Sequence, residues 1–242
     1  REGCLASAIK DPEVKMTFSR AGKEVEIKLH TVTYAQVKNW LYNEWEDTNR
    51  ALVDRLGDGQ IAYTHMRDMG SEELNEFLKD MHTRTLGKKA IIIDLRYNNG
   101  GNVHNEVLEF LSQKAHYQWA YRDFPSNSHP NVTPGDIPII ALVNERSLSD
   151  AEVTSNGIQT LGLATIVGTE TYRWIIFTSG TTLLDGSYLR LPAWGCYSLD
   201  GKDLESTGVK PDIYVKNTFE DRLKGRDPQL ERAIEEALKM IK

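Results

Sequence analysis

Two short apolar runs constrain the fold of this chain more than any other feature of its sequence. Residues 90–95 read AIIIDL and residues 137–143 read IPIIALV, without the alternation typical of a strand that has one wet face. Such runs predict buried strands, as in parallel sheets. Each run leads through a turn into a helical pattern, over residues 103–113 and 150–161. Strands that alternate with helices predict an α/β domain from about residue 60 onward.

Periodicity predicts further elements on both sides of these two units. The strands are expected over 13–18, 24–29, 61–66 and 165–168, and the helices over 33–55, 71–82 and 227–242. The first two strands form a hairpin around Ala21-Gly22. Because a lone hairpin is marginal in water, it must cover either the rest of a small domain or the α/β domain.

The second buried run ends in a turn that carries a serine, Ser149. A serine at a strand-to-helix turn can present its oxygen to a substrate, while the helix N-terminus offers backbone N–H groups to an oxyanion. The simpler interpretation is that Ser149 caps the helix and that Glu152 completes a capping box. Taken alone, this stretch favours the cap, because capping serines are far commoner than nucleophilic ones.

The first buried run ends in a glycine-containing loop, Asn98-Asn99-Gly100-Gly101. Such a loop permits positive φ and close backbone approach, which a loop that lends N–H groups to a ligand requires. It lacks the full pattern of a dinucleotide-binding loop or of a phosphate-binding loop with its lysine. On its own it would be interpreted as a plain tight turn.

Composition narrows the possible functions. The net charge of −6 at pH 7 leaves no basic stripe for nucleic acid, and no apolar run approaches the length of a membrane span. Cys4 and Cys196 match no metal-binding spacing and no disulfide framework, although a single bridge stays open. No metal and no cofactor is expected. Because the chain begins at Arg1 and lacks a signal-peptide core, it is expected to be part of a longer or processed protein, either cytoplasmic or exported.

The two turns together resemble one family of enzymes. Asp94-Leu-Arg-Tyr-Asn-Asn-Gly-Gly101 resembles the Asp-x-Arg-x-Asn-x-Gly-Gly loop of the tail-specific, or C-terminal-processing, serine peptidases. Their nucleophile segment is similar to Asn144-Glu145 with Ser149-Asp150-Ala151-Glu152 and the later Val167-Gly168-Thr-Glu-Thr171. Within this family the tricorn core protease and its homologues are the more similar branch. Further stretches match the family in the same order along the chain, at 61–70, 184–186, 205–212 and 225–229.

The resemblance implies a domain organisation. It implies a ClpP/crotonase-like catalytic domain over 60–242, a linker helix over 33–59, and the closing strands of a PDZ domain over 1–32. It also implies a peptide or unfolded-protein substrate, assembly into a homo-oligomer, and contact with upstream domains of the same protein.

The same resemblance assigns roles at the site. Ser149 falls on the nucleophile, and the backbone N–H groups of Gly100 and Asp150 fall on the oxyanion hole. Glu205 falls on the acidic residue that orients or polarises the site, although its sequence context alone indicates a solvated loop glutamate.

The base is not assigned by the sequence. Bacterial processing peptidases use a lysine twenty-five positions after the serine, where this chain has Trp174, which cannot accept a proton. The neighbouring Arg173 stays protonated at any working pH. The tricorn-like branch takes a histidine from an upstream domain, and the Gly-Thr-Ser-His-like motif that carries it does not occur here. His104, just after the glycine loop, is a candidate base. The more economical hypothesis places the base upstream or on a separate chain.

Two other classes of function stay open. A crotonase-like acyl-CoA enzyme would use the paired N–H groups for an enolate and would need no nucleophilic serine. A non-catalytic peptide-binding scaffold is consistent with two departures from the family pattern. Asn99 replaces a glycine of the loop, and Arg173-Trp174 replace a Gly-Gly pair, so bulky groups are expected to narrow the substrate groove. His65 is expected to be structural.

Overall fold

The computed structural model describes residues 13–132 and 134–241. They fall into two compact units, divided between Thr48 and Asn49. Residues 1–12 lie outside the described part, and so does the question of a bridge between Cys4 and Cys196.

The first unit holds the predicted hairpin. Strands β1 (Glu13–Arg20) and β2 (Lys23–His30) pair antiparallel, with Glu13 opposite His30. Nearly every residue of the two strands is exposed. Helix α1 (Tyr34–Leu56) begins in this unit, and its last turns belong to the second. The hairpin and the helix are confirmed as elements, whereas their assignment to a PDZ domain and a linker stays a prediction.

The second unit contains the α/β elements expected from the sequence and two further hairpins. Its strands are β3 (Ile61–His65), β4 (Ala90–Asp94), β5 (Tyr117–Trp119), β6 (Asn127–His129), β7 (Ile139–Val143), β8 (Thr165–Gly168), β9 (Phe177–Thr182), β10 (Tyr188–Trp194) and β11 (Ile213–Tyr214). Its helices are α2 (Ser71–Thr83), α3 (His104–Leu111), α4 (Asp150–Thr160), α5 (Leu204–Thr207), α6 (Phe219–Leu223) and α7 (Pro228–Met240), with a 3₁₀ turn at Pro134–Asp136.

A five-stranded sheet in the order β11–β8–β7–β4–β3 forms the centre of this unit. Every neighbouring pair in it is parallel. All residues of β4 and β7 are buried, which confirms the prediction of strands covered on both faces. The parallel α/β fold predicted from residue 60 onward is therefore present.

The two faces of the sheet carry separate apolar clusters. Successive side chains of a strand point to opposite faces, so Ile91 and Ile93 join one cluster and Ile92 joins the other. The first cluster is covered by α2, α3 and α4 and the second by α7 and the end of α1, through residues that include Phe77, Val107, Ile158, Leu230 and Val53. Each fully buried isoleucine stabilises the fold by roughly 1.5–3 kcal/mol.

The parallel sheet brings the two predicted turns together. Asp94, the last residue of β4, pairs with Leu142 near the end of β7. Because the carboxyl ends of parallel strands meet at one edge, the loops that follow β4 and β7 lie side by side. This edge carries the glycine loop and the serine turn.

Candidate active site

Ser149 lies at the junction of β7 and α4 in a strained backbone conformation. Its φ is 55° and its ψ is −119°. Positive φ is uncommon for a residue with a side chain, and an ordinary capping serine has an extended backbone. A strained strand-to-helix turn of this kind lifts a serine oxygen clear of the sheet. The backbone therefore distinguishes Ser149 from a plain cap.

Glu152 holds the serine turn through a fully buried carboxylate. One carboxylate oxygen accepts the N–H groups of Ser149 and Trp174, both at 2.9 Å. The other accepts the Thr171 hydroxyl at 2.6 Å and the Arg173 N–H at 2.7 Å. Ser149 and Glu152 are paired as in a capping box through the bond from the Ser149 N–H to the Glu152 carboxylate. Sequence reasoning identified Glu152 as a cap and missed its contacts with residues 171–174.

Gly100 packs directly against the serine. Its φ is +77°, and a Cβ added there would lie 2.6 Å from Ser149 Cβ and 2.9 Å from the Leu148 carbonyl oxygen. Asn98 fixes the loop, since its side-chain oxygen accepts the Gly100 N–H at 2.8 Å and its amide donates to the Met66 carbonyl at 2.8 Å. The glycine loop is thus in contact with Ser149, but the Gly100 N–H is already engaged.

The buried Asp150 and the half-buried His104 link the two loops. The Asp150 carboxylate lies 2.5 Å from His104 Nδ1, and it also accepts the N–H groups of Val103 at 2.8 Å and His104 at 3.1 Å. An acid at the start of α3 interacts favourably with the helix dipole. The main-chain N–H of Asp150 has no hydrogen-bond partner within residues 13–132 and 134–241. It is therefore available to a ligand.

A cavity of about 620 Å³ opens beside Ser149. This serine cavity is lined by Asn99, Leu148, Ser149, Trp174, Ile176, Thr178, Arg190, Pro192 and Glu205. It brings together Ser149 and Glu205, which are far apart in sequence, whereas His104 does not line it. Asn99 and Trp174, the bulky departures from the family pattern, both do.

Glu205 reaches the serine cavity from the start of α5. Asp203 caps this short helix, and its side chain accepts the Glu205 N–H at 3.0 Å. Glu205 is exposed, and within the described ranges its carboxylate has neither a hydrogen bond nor an ion pair. The carboxylate is therefore free to meet a substrate or a partner side chain.

The charged residues of the Asp-x-Arg-x-Asn loop belong to the interior. Arg96 is fully buried, with Asp94 at 2.7 Å and Asp227, the N-cap of α7, at 2.8 Å. Burial would lower the pKa of Arg96, but Asp94 and Asp227 raise it well above its usual value. Burial likewise would raise the pKa of Asp94, but Arg96 holds it below its usual value. His65 is buried as well, with Nδ1 2.8 Å from the Asp94 carbonyl oxygen.

Comparison with known proteins agrees with this geometry. Residues 59–215 match the model of peptidase family S41. The chain belongs to peptidase family S41. It is 31% identical over 204 residues to the tricorn protease of Thermoplasma acidophilum, covering 83% of this chain and 19% of that protein. A more distant relative is the carboxy-terminal-processing protease of Bartonella bacilliformis, 26% identical over 185 residues, or 72% of this chain and 43% of that protein.

The S41 domain also superposes on a solved structure. The crystal structure of the tricorn protease matches it with a TM-score of 0.81 and 28% identity, over 95% of this chain and 22% of that one. The resemblance to tricorn-like and C-terminal-processing serine peptidases is thereby confirmed. The chain spans about a fifth of the length of this tricorn relative.

The structure also adds residues that sequence reasoning missed. Arg190 on β10 lines the serine cavity, and nothing in the local sequence connects it with Ser149. Asp227 lies within the stretch 225–229 that resembles the family. That resemblance was the signal that could have identified it. No helix among the described residues is long and apolar enough to cross a membrane.

Proposed function

We propose that this S41 domain hydrolyses peptides through an acyl-enzyme on Ser149. The observation that carries the proposal is the Ser149 backbone, with φ of 55° and ψ of −119° beside the serine cavity. Such strain costs about 1–3 kcal/mol and is retained where the surroundings fix it, which is common at active sites. The Ser149 oxygen attacks the peptide carbonyl while a histidine takes its proton, and the amine leaves with that proton. Water then releases the acyl group.

The oxyanion is assigned to two backbone N–H groups. The N–H of Asp150 is unpartnered within the described residues and lies at the positive end of the α4 dipole. The N–H of Gly100 is the second donor, favoured by the close packing of Gly100 on Ser149. That N–H donates to the Asn98 side-chain oxygen at 2.8 Å. When substrate binds, the N–H must therefore donate to both Asn98 and the oxyanion, or leave Asn98 for the oxyanion.

Glu205 and a histidine complete the proposed mechanism. The unpartnered Glu205 carboxylate lines the cavity with Ser149 and is assigned to orient or polarise the base. His104 is the candidate base within the chain, but its Nδ1 is held by Asp150 and its ring does not line the cavity. This favours a histidine from an upstream domain of the same protein or from a separate chain. Trp174 excludes a lysine at the position used by bacterial processing peptidases.

The wider organisation follows the same resemblance. We propose that residues 60–242 form a ClpP/crotonase-like catalytic domain, that 33–59 form a linker helix, and that 1–32 end a PDZ domain. The substrate is a peptide or an unfolded protein, and the protein assembles into a homo-oligomer.

A peptide-binding scaffold without catalysis is the second candidate. Two observations favour it. Trp174 lines the cavity in place of a small residue, and the Gly100 N–H is occupied.

A serine-directed probe separates the two candidates. A fluorophosphonate should label Ser149 in the intact protein that contains this chain, and Ser149→Ala should abolish the labelling and the hydrolysis of a peptide library. Ser112→Ala, on an exposed serine after α3, serves as the control and should label normally. Undiminished labelling of Ser149→Ala would remove this residue from the site, whereas peptide binding without any labelling would favour the scaffold.

A further inference from the structure

We infer that Arg190 binds the side-chain carboxylate of a glutamate or aspartate of the substrate and so selects acidic peptides; this rests on the proposed function. Arg190 and Ser149 line the same cavity of about 620 Å³. A cavity of that volume accommodates a ligand the size of a short peptide segment. A group bound at Arg190 therefore lies within a few residues of the bond that Ser149 would attack.

The guanidinium is oriented but not neutralised. Its Nε donates to the Thr178 hydroxyl at 2.7 Å, a contact across the β9–β10 hairpin between residues on neighbouring strands. This bond uses one of five donors and leaves the two terminal nitrogens of the fork. A guanidinium presents those two nitrogens in the geometry that a carboxylate accepts in bidentate fashion. The hairpin thus presents a pre-oriented carboxylate receptor.

The described part of the chain supplies no acid to Arg190. Across residues 13–132 and 134–241, no carboxylate lies within ion-pair distance of it. Glu205 is the other charged residue of the lining and is not paired with it. Arg173, the residue before Trp174, differs in this respect, because it pairs with Glu170 at 2.8 Å. Arg190 is therefore the cation of the serine cavity that remains open to a substrate anion.

The rest of the lining agrees with a peptide rather than a small anion. Leu148, Trp174, Ile176 and Pro192 supply apolar surface around the two charged residues. Apolar walls with a few placed polar groups are typical of pockets that recognise organic ligands. A free inorganic anion would gain nothing from these walls.

Binding to the Ser149→Ala variant tests the inference without catalysis. The probes are acetylated alanine–leucine hexapeptides in which one glutamate or glutamine is moved through each position, with either a free C-terminal carboxylate or an amide. Dissociation constants can be followed through tryptophan fluorescence, since Trp174 lines the cavity. We expect the glutamate peptides to bind about tenfold more tightly than their glutamine counterparts, as for a charge-assisted hydrogen bond. Selectivity for the free C-terminal acid without selectivity for glutamate overturns the inference.

Second-site variants then assign the effect to Arg190. Adding Arg190→Gln should abolish the selectivity while neutral peptides bind as before, and Arg190→Lys should retain only part of it. Arg84→Gln, a loss of the same charge on the surface beyond α2, should leave the selectivity unchanged. Equal binding of charged and neutral peptides overturns the inference, and so does selectivity that survives Arg190→Gln. The proposed function stands in either case if the protein with Ser149 intact hydrolyses peptides. If no peptide binds and a fluorophosphonate does not label Ser149, both the inference and the proposed function fail.

Discussion

Replacing Glu152 by glutamine removes one charge and one acceptor from beneath the serine turn. In the native protein, both carboxylate oxygens are saturated by four donors: Ser149 N–H, Trp174 N–H, the Thr171 hydroxyl and Arg173 N–H. An amide keeps one accepting oxygen and places an NH₂ group opposite the other pair of donors. In the better orientation, that NH₂ group faces Thr171 and Arg173. The Thr171 hydroxyl can turn to accept a hydrogen bond from it, whereas the Arg173 N–H cannot.

The expected magnitude follows from these contacts. At least one hydrogen bond to a charged acceptor is lost, at about 1.5–3 kcal/mol, and the Arg173 N–H is left unsatisfied beside a buried side chain. The bonds that survive become neutral rather than charge-assisted and are correspondingly weaker. We therefore expect Glu152→Gln to lower the free energy of unfolding by roughly 2–4 kcal/mol. Since the same carboxylate accepts the Ser149 N–H at 2.9 Å, labelling by a fluorophosphonate should fall together with stability.

Urea unfolding followed by circular dichroism measures the first effect, and the rate of fluorophosphonate labelling measures the second. Glu145→Gln is the matched control, because Glu145 is exposed and its carboxylate accepts, among the described residues, only the Thr169 hydroxyl, at 2.9 Å. An amide oxygen can accept that bond instead. The control should unfold within about 0.5 kcal/mol of the parent, as surface substitutions usually do. If Glu152→Gln is equally well tolerated, the carboxylate does not hold the serine turn.

Two further predictions concern the residues that support the site. The folded state holds the pKa of Asp94 below its usual value, so the stability from Asp94 is complete above its unfolded pKa of about 3.9 and is lost as pH falls through the lower folded pKa. Between pH 6 and pH 3, the free energy of urea unfolding should then fall less in Asp94→Asn than in the parent. At pH 6 this variant is already less stable by roughly 3 kcal/mol, because Arg96 loses a partner. Equal pH slopes in variant and parent would contradict this. Gly100→Ala should cost more than 2 kcal/mol and abolish labelling, since its Cβ would meet Ser149 Cβ at 2.6 Å. Gly87→Ala, also at positive φ but with nothing within 4 Å, should cost only about 1–2 kcal/mol and label normally, and similar losses in both variants would argue against the contact.

The parallel sheet was predictable because the sequence of each central strand shows by itself the pattern of a buried strand. The runs that became β4 and β7 are apolar at nearly every position, and only strands covered on both faces favour such a pattern. The turns after them could be paired from sequence, since carboxyl ends of parallel strands share an edge. The hairpins β5–β6 and β9–β10 were missed because their residues are mostly exposed and so lack a strong apolar alternation.

The contacts that complete the site were not predictable from local pattern. Arg96 donates a hydrogen bond to Asp227, which lies 131 positions away in the sequence. The sequence does not indicate that either residue is buried, since charged side chains are usually exposed. Arg190 reaches the serine cavity only because the β9–β10 hairpin places it there. Glu205 was assigned by resemblance alone, against a local pattern that favoured a solvated loop residue.

The folded protein gives Ser149 one feature of a helix cap and one feature that a cap lacks, and this combination could not be read from the sequence alone. Glu152 accepts the Ser149 N–H as a capping residue would, yet the serine backbone is not the extended one of a cap. Positive φ persists here because two neighbours restrain it: Glu152, tied to residues 171–174, and Gly100, in contact with Ser149. Without either restraint, relaxation to an ordinary cap would release about 1–3 kcal/mol of strain. The strained geometry of Ser149 therefore depends on three separate segments, and no one of them could indicate it by itself.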